Sequence, residues 1–482
     1  VFVGGILYVK WYKKRVLDKI ELAFARGYDP ALELATHRDK EAGETVMDTT
    51  QELTEDEMDL EAELSRWTEN LRRKEQDLID RIMHGQEPGH YFVLLGPKGA
   101  GKTTMIFESM SAVQAEGVAM LDAHPDLEVF RMRLGVALNY EFNEDTQTGL
   151  FQRRDPREAG PQLDIERALN KLEKVALRCA ARNGRPLVLV LNNIHFINND
   201  EAGRNMLLQL QQRAEAWAAS GILTMVFTSD DFWPYNLMRQ RGSRMVTLSI
   251  SDLDRPAAIH ASARMRRRSK PDKAAADTEE LADVVDLVGG RLSYLSKCTK
   301  AKDMRHMADH LLNVEKANLL SRIGLIEDCD DDVMDEQKWA SCSWLLLQEF
   351  VNIRAEQEKE RAEAIESGLL SAEEAHMLPM PAIPYWMCRQ LMTRADFLEE
   401  LDRLNIITID VHHDVRPDSM LILHAARQVV EEEGFQAKLD SVRDRIDAIE
   451  SLHRTRELTF KDLNLGDRVS LMVDKDGSQN WL

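Results

Sequence analysis

A chain of 482 residues is too long for one ordinary core, so two or three domains are expected. Its apolar fraction of 44% and charged fraction of 30% exclude a disordered polar chain and describe a folded body. A formal net charge of −21 argues against duplex nucleic acid as the main partner, because phosphate contacts need local positive potential.

The chain opens on an uncharged apolar run, 1–9, followed at once by Lys10, Trp11, Tyr12, Lys13, Lys14 and Arg15. Nine residues cannot cross a bilayer, which takes roughly 20. An apolar run followed by a basic and aromatic belt predicts the end of a membrane helix and its headgroup flank over 1–15. A buried strand or a core helix end is the other reading. In the segment 16–54, Val16, Ile20 and Phe24 line one face of a short amphipathic helix that Gly27 stops, and a polar linker follows. Helical spacing of Leu60, Leu64, Trp67, Leu71, Leu78 and Ile82 predicts a leading helix over 55–83, closed by Gly85, Pro88 and Gly89.

Strand-like apolar runs at 91–95, 118–122, 187–191, 222–228 and 245–250 then alternate with helical patterns, notably 165–182 and 202–219. This is the signature of an α/β domain over 55–251 built on a mostly parallel sheet of about five strands. Strands stop after Asp252, and 252–327 reads as a helical lid, with an acidic break at 328–337. Over 338–452 the pattern is a helix at 339–364, a stretch with Pro379, Pro381 and Pro384, helices at 384–391 and 394–404, and strands at 406–411 and 419–424. The turn 412–418 joins those strands, and Thr393 with Asp396 resembles a capping box. That order is a winged helix, followed by a helix over 425–452 and a tail over 453–482. Cys179, Cys298, Cys329, Cys342 and Cys388 form no CxxC pair and are odd in number, so isolated thiols in a reducing compartment are expected.

The strongest chemical signal is the loop Gly96-Pro97-Lys98-Gly99-Ala100-Gly101-Lys102-Thr103, followed by Thr104, between the first strand and a helix. Three glycines let backbone N–H groups converge on one phosphate cluster, Lys102 reaches the β and γ phosphates, and the Thr103 hydroxyl can ligate Mg²⁺. The helix that follows directs its positive end at the same charge. The ligand expected is ATP, or ADP, with Mg²⁺.

In ordinary P-loop ATPases an apolar strand ends in Asp followed by Glu; here 187–191 ends in Asn192-Asn193. An amide neither grips Mg²⁺ as an anion nor accepts a proton from water. Binding should survive, and hydrolysis should be slow or absent unless another acid takes over. Asp230 and Asp231 are candidates, with Asp122 weaker, although a helix N-cap accounts equally well for Asp230 and Asp231. Thr228 and Ser229 lie where a γ-phosphate sensor would sit, and Ser229 reads equally as a turn residue. Arg239, Arg241 and Arg244 precede the fifth strand, the position of an arginine finger reaching a neighbour's nucleotide. Gly289-Gly290 would let the lid approach closely and bring Arg291 onto the γ-phosphate. Arg264, Arg266, Arg267, Arg268 and Lys270 read as a solvated basic face or a contact for an acidic neighbour. In the second winged-helix helix Asp396, Glu399, Glu400 and Asp402 outnumber Arg394 and Arg403, which favours protein contact over DNA.

The loop 96–104, the Asn192-Asn193 strand end, Thr228-Ser229-Asp230-Asp231, and Gly289-Gly290-Arg291 with a winged helix after it resemble fungal AAA-type proteins with a C-terminal winged-helix domain. A more distant similarity runs to the P-loop domain of mitochondrial escape protein 2 and to the STAND and origin-recognition branches of AAA+ proteins. The resemblance covers 55–452 and implies ATP binding, a homo-oligomer such as a ring, and, for the mitochondrial relative, an inner-membrane anchor. Asn192-Asn193 departs from the general pattern. The reading is a membrane-anchored, oligomeric AAA+ protein acting on other proteins, with weak or displaced hydrolysis. An ATP-clamped, non-hydrolysing scaffold or switch and an origin-recognition-like DNA binder are the alternatives.

Overall fold

The computed structural model describes residues 2–28, 72–142, 160–269, 278–367 and 378–455, together with 471–473 and 479–481. The five apolar runs are strands β1 (Tyr91–Leu95), β2 (Val118–Asp122), β3 (Leu187–Asn192), β4 (Leu223–Ser229) and β5 (Met245–Ser249). All pairings among them are parallel, in the order β2-β3-β4-β1-β5. Every residue of β1, β3 and β4 is buried, as expected of a sheet covered on both faces. The pleat divides β1 between two cores, Tyr91, Val93 and Leu95 joining the larger and Phe92 and Leu94 the smaller.

The register aligns the strand ends that matter. Leu95 sits beside Ser229, and Asp122 beside Asn192. The turn after β1 and the acids and amides after β2, β3 and β4 therefore lie along one edge of the sheet. Helices α3 (Lys102–Ala112), α4 (Leu127–Ala137), α5 (Gly160–Asn183), α6 (Glu201–Ser220) and α7 (Phe232–Arg239) connect the strands. Asp126 and Asp200 cap α4 and α6 with their side chains. Of the expected leading helix only α2 (Gln76–Met83) is described; 55–71 and the linker residues 35–54 lie outside the described residues.

The first 22 residues differ from expectation. Instead of two pieces there is one helix, α1 (Phe2–Leu22). Val16, Ile20, Ala23 and Phe24 are buried in the larger core, whereas Leu7, Tyr8 and Trp11 are exposed. Lys10, Lys13, Lys14 and Arg15 interrupt the apolar surface, and among the described residues no helix is long and apolar enough to cross a membrane. Asp18 and Glu21 pair with Arg178 and Arg182 of α5, so the second half of α1 is part of the α/β body.

Beyond β5 the chain is helical: α8 (Arg255–Ser269), α9 (Thr278–Val288), α10 (Leu292–Lys300) and α11 (Met304–Arg322). Arg266 is not part of a solvated face. It is buried and donates to the carbonyls of Thr299 and Ala301, closing the carboxyl end of α10.

The long helix α12 (Met334–Glu366) precedes β6 (Ile383–Pro384), α13 (Tyr385–Met392), α14 (Ala395–Arg403), β7 (Ile407–Ile409) and β8 (Asp414–Pro417). Fully buried Trp344 donates its indole N–H to the Ile323 carbonyl at 2.6 Å, tying α12 to the end of α11. The strand expected over 419–424 is instead the start of α15 (Met420–Val430), because the Ser419 hydroxyl accepts from the Ile422 N–H and starts a helix there. The second strand of the wing consequently lies earlier, at 414–417. The expected single helix over 425–452 is two, α15 and α16 (Phe435–Thr455), parted at Gly434 with φ 88°. Thr393 caps nothing; its φ is 60°, and Asp396 is held by Arg394. All five cysteines are free thiols, four buried and Cys342 partly so.

Candidate nucleotide site

The loop after β1 has the backbone its sequence requires. Gly99 and Gly101 adopt φ 82° and 100°, and a Cβ on Gly99 would sit 2.4 Å from the Ser293 hydroxyl. Gly96 is equally constrained, since a Cβ there would meet the Ile250 carbonyl oxygen at 2.1 Å. Arg73, which no motif singles out, is buried and donates to the carbonyls of Ala100 and Ser251, fastening the loop to the exit of β5. Lys102 is only 5% exposed. Its ammonium donates to the Gly96 and Pro97 carbonyls at 2.6 and 2.9 Å and pairs with Asp230 at 2.7 Å. Burial lowers its proton affinity, against the pull of Asp230.

The strand ends form a connected polar network. The Asn192 amide oxygen accepts from the Thr228 hydroxyl at 2.7 Å and the Thr103 hydroxyl at 3.2 Å, while its amide donates to Asp122 at 2.6 Å. That last contact gives a physical reason for the amide: a carboxylate at 192 would press against Asp122 at hydrogen-bond distance. Asn193 has a left-handed backbone, φ 56°, and its N–H donates to the Thr228 hydroxyl. Thr228, rather than Ser229, therefore belongs to the site. The Ser229 hydroxyl donates to the Asp231 carbonyl and serves the turn.

The two aspartates after β4 part company. Asp230 faces Lys102, and its main-chain N–H donates to His195 Nδ1 at 3.1 Å. His195 Nε2 lies 3.7 Å from the second oxygen of Asp230, so a histidine beyond Asn193 joins the site. Its position in the three-residue turn Ile194–Phe196 after β3 was the only sequence signal. Burial holds the His195 ring below the usual histidine range, with Asp230 opposing. Asp231 turns away to the winged helix, at the N-cap position of α7 but with no side-chain cap bond.

There it meets Asp402 of α14, which accepts from the Phe232 N–H at 2.7 Å. Both acids are buried. Burial and then Asp230 push Asp231 up to about 7, and burial and then Asp231 push Asp402 well above the carboxylate range; Arg403 and Lys102 pull Asp231 down. A folded-state pKa raised above its unfolded value of 3.8 gives stability that is complete below that value and lost as pH rises through about 7. The contact between α14 and the α/β body should therefore loosen as pH rises from about 4 to about 7. The protection of the Phe232 amide, its exchange rate corrected for ordinary base catalysis, should fall over that range in wild type and much less in Asp231→Asn. Identical pH dependence in both proteins would refute this.

Arg291, expected above the γ-phosphate, is placed otherwise. Arg291, 2% exposed, donates to Asp252 at 2.6 Å, to the Lys98 carbonyl at 2.8 Å, and to the carboxylate and carbonyl of Asp418, the former at 3.0 Å. It joins the P-loop, the helical region and the winged helix instead of pointing at a γ-phosphate. Burial alone would weaken its charge, but Asp418 and Asp252 more than restore it. The Gly289-Gly290 turn does permit close approach, to Leu253: a Cβ on Gly290 would lie 1.9 Å from that carbonyl oxygen. Arg239 contacts His413 in the wing and is no free finger. Arg241 and Arg244 are exposed at the amino end of the sheet, since the Arg244 carbonyl accepts from the first residue of β1, opposite this chain's own P-loop.

A cavity of about 350 Å³ opens on these groups, bordered by Lys98, Gly99, Gly101, Lys102, Thr104 and Asp230 among others. The glycine-cleared loop, the buried ammonium and the amino end of α3 fit a phosphate chain. Magnesium fits less well. Thr103 supplies one hydroxyl and Asn192 a neutral carbonyl, and among the described residues no group of three or more His, Cys, Asp or Glu could hold a metal ion. Such an ion would depend on Thr103 and on the triphosphate itself.

Residues 69–225 match the AAA ATPase domain, and residues 320–450 match the C-terminal winged helix domain of fungal AAA proteins. No curated protein matches the chain. Among solved structures, the Walker-type ATPase PABY2304 of Pyrococcus abyssi is 12% identical with a TM-score of 0.44, over 74% of this chain and 96% of that one. Cdc6p from Pyrobaculum aerophilum gives 14% and 0.30, over 79% and 95% of the two chains. The Aeropyrum pernix Orc1 protein in complex with DNA gives 13% and 0.32, over 78% and 97%.

Proposed function

Since the chain is a fungal AAA-type ATP-binding protein with a C-terminal winged helix, we propose that it couples ATP at Lys102 to the arrangement of its winged helix, with hydrolysis carried by a displaced acid, Asp230. The observation that carries this reading is the 2.7 Å pair between Asp230 and Lys102 in a site whose strand end offers only amides. A carboxylate is thereby held at the phosphate-binding ammonium, where a proton from attacking water could be taken. Steady-state phosphate release should be measurable in wild type and fall about 100-fold or more in Asp230→Asn, at ATP affinity within a few fold. Equal turnover in the two proteins would remove Asp230 from the chemistry.

The second reading, a non-hydrolysing ATP-clamped scaffold, is favoured by Asn192, which already satisfies two hydroxyls and Asp122. Under that reading wild type binds ATP and releases no phosphate. We place the work of either form in a homo-oligomer acting on proteins at a membrane. Exposed Arg241 and Arg244 would reach a neighbouring copy, and exposed Leu7, Tyr8 and Trp11 beside Lys10, Lys13 and Lys14 would face lipid. Sedimentation with and without ATP and flotation on anionic vesicles test those two additions; a monomer that never floats would sink them.

The DNA-binding alternative loses its usual surface. The acidic helix α14 is turned toward the α/β body through Asp402, and it carries Glu399 within 3.4 Å of Asn199.

A further inference from the structure

Hydrolysis of ATP to ADP and phosphate forms a bond between water oxygen and the γ-phosphorus and breaks the bond to the β-phosphate oxygen, which keeps the electron pair. The proton lost by water must go to a base. The Asn193 amide cannot accept it. Asp230 can, but in the observed arrangement one of its oxygens is committed to Lys102. When that ammonium turns to phosphate oxygens, Asp230 needs a second partner to stay in place.

Resting on the ATP reading above, we propose that His195 is the positioning residue for Asp230, holding the carboxylate so that its other oxygen takes the proton from the attacking water. The geometry fixes the ring. His195 Nδ1 accepts from the Asp230 N–H at 3.1 Å, so Nδ1 carries a lone pair and the neutral ring bears its hydrogen on Nε2. Nε2 lies 3.7 Å from Asp230 Oδ2, just beyond hydrogen-bond reach until Asp230 shifts, while Oδ1 faces Lys102 at 2.7 Å. One residue thus meets both the backbone and the side chain of Asp230, from a side other than the cation's. The ring is itself fixed, 9% exposed and edge-on to Phe196 with centroids 4.5 Å apart. Its turn follows Asn193 directly, so the strand that lost its acid supplies the support for the replacement.

The test uses the full chain. Nitrogen-15 histidine spectra, with His195 assigned by its absence in His195→Ala, should show the Nε2–H form at neutral pH; an Nδ1–H form overturns the proposal. In steady state with ATP and Mg²⁺, His195→Ala should lower kcat about tenfold or more with KM and ATP affinity within twofold, because misplacement of a base costs rate and not binding. His195→Gln, which restores an N–H near the Nε2 position, should recover part of the loss. Turnover unchanged in His195→Ala while Asp230→Asn is dead overturns the role of His195 and leaves Asp230 standing. Wild type that binds ATP without any turnover overturns the proposal and leaves the clamp, and wild type that binds no ATP overturns the nucleotide site itself.

Discussion

Arg291→Ala is expected to destabilise the protein by about 3–5 kcal/mol, the usual result of removing one partner from a buried ion pair. The guanidinium is 2% exposed and meets Asp252, Asp418 and the Lys98 carbonyl with a planar fork. Alanine would leave Asp418 buried beside Asp252 with no cation between them; burial already pushes Asp418 up to about 6 despite Arg291. It would also release the Lys98 carbonyl of the P-loop and the Asp418 carbonyl just before α15. Lysine is no substitute, because one ammonium cannot span three acceptors in a plane. Urea denaturation should show an earlier transition, and limited proteolysis should cut earlier near 418–420 in Arg291→Ala. An unchanged midpoint would mean that the clamp contributes nothing.

The second large effect concerns binding. Lys102→Ala removes a charge-assisted contact to phosphate, worth about 1.5–3 kcal/mol, so ATP affinity should fall by about 10- to 150-fold in calorimetric titration. The same change strips Asp230 of its cation and leaves a partly buried carboxylate beside incoming phosphates, which pushes the loss toward the upper end. Affinity equal to wild type would show that the loop at 96–103 is not where ATP binds.

What could be read from the chain was local. The five strands announce themselves because each is a short, nearly unbroken apolar run, and the P-loop because its glycines and Lys102 lie within seven residues. The Asn192-Asn193 substitution was equally visible, being the end of such a run. What escaped depends on residues far apart in sequence. Arg291 meets Asp418 across 127 positions, and Phe232 meets Asp402 across 170, so neither partner could be named beforehand. His195 was missed because a single histidine after a strand has no pattern of its own. The run 420–423 is apolar throughout and too short to choose between periods of two and 3.6; the hydroxyl of Ser419 decided it. For the first helix, the cations at 10–15 read as a belt, while the burial of Val16 and Ile20 against α5 took a fold to reveal.

The φ of 56° at Asn193 makes the missing glutamate hard to reinstate. Asparagine, aspartate and glycine visit that left-handed conformation with little penalty, whereas a longer side chain enters it at a cost of about 1–2 kcal/mol. A single codon change toward glutamate would thus arrive strained and misdirected. A glutamate placed there would therefore need the exit from β3 rebuilt as well.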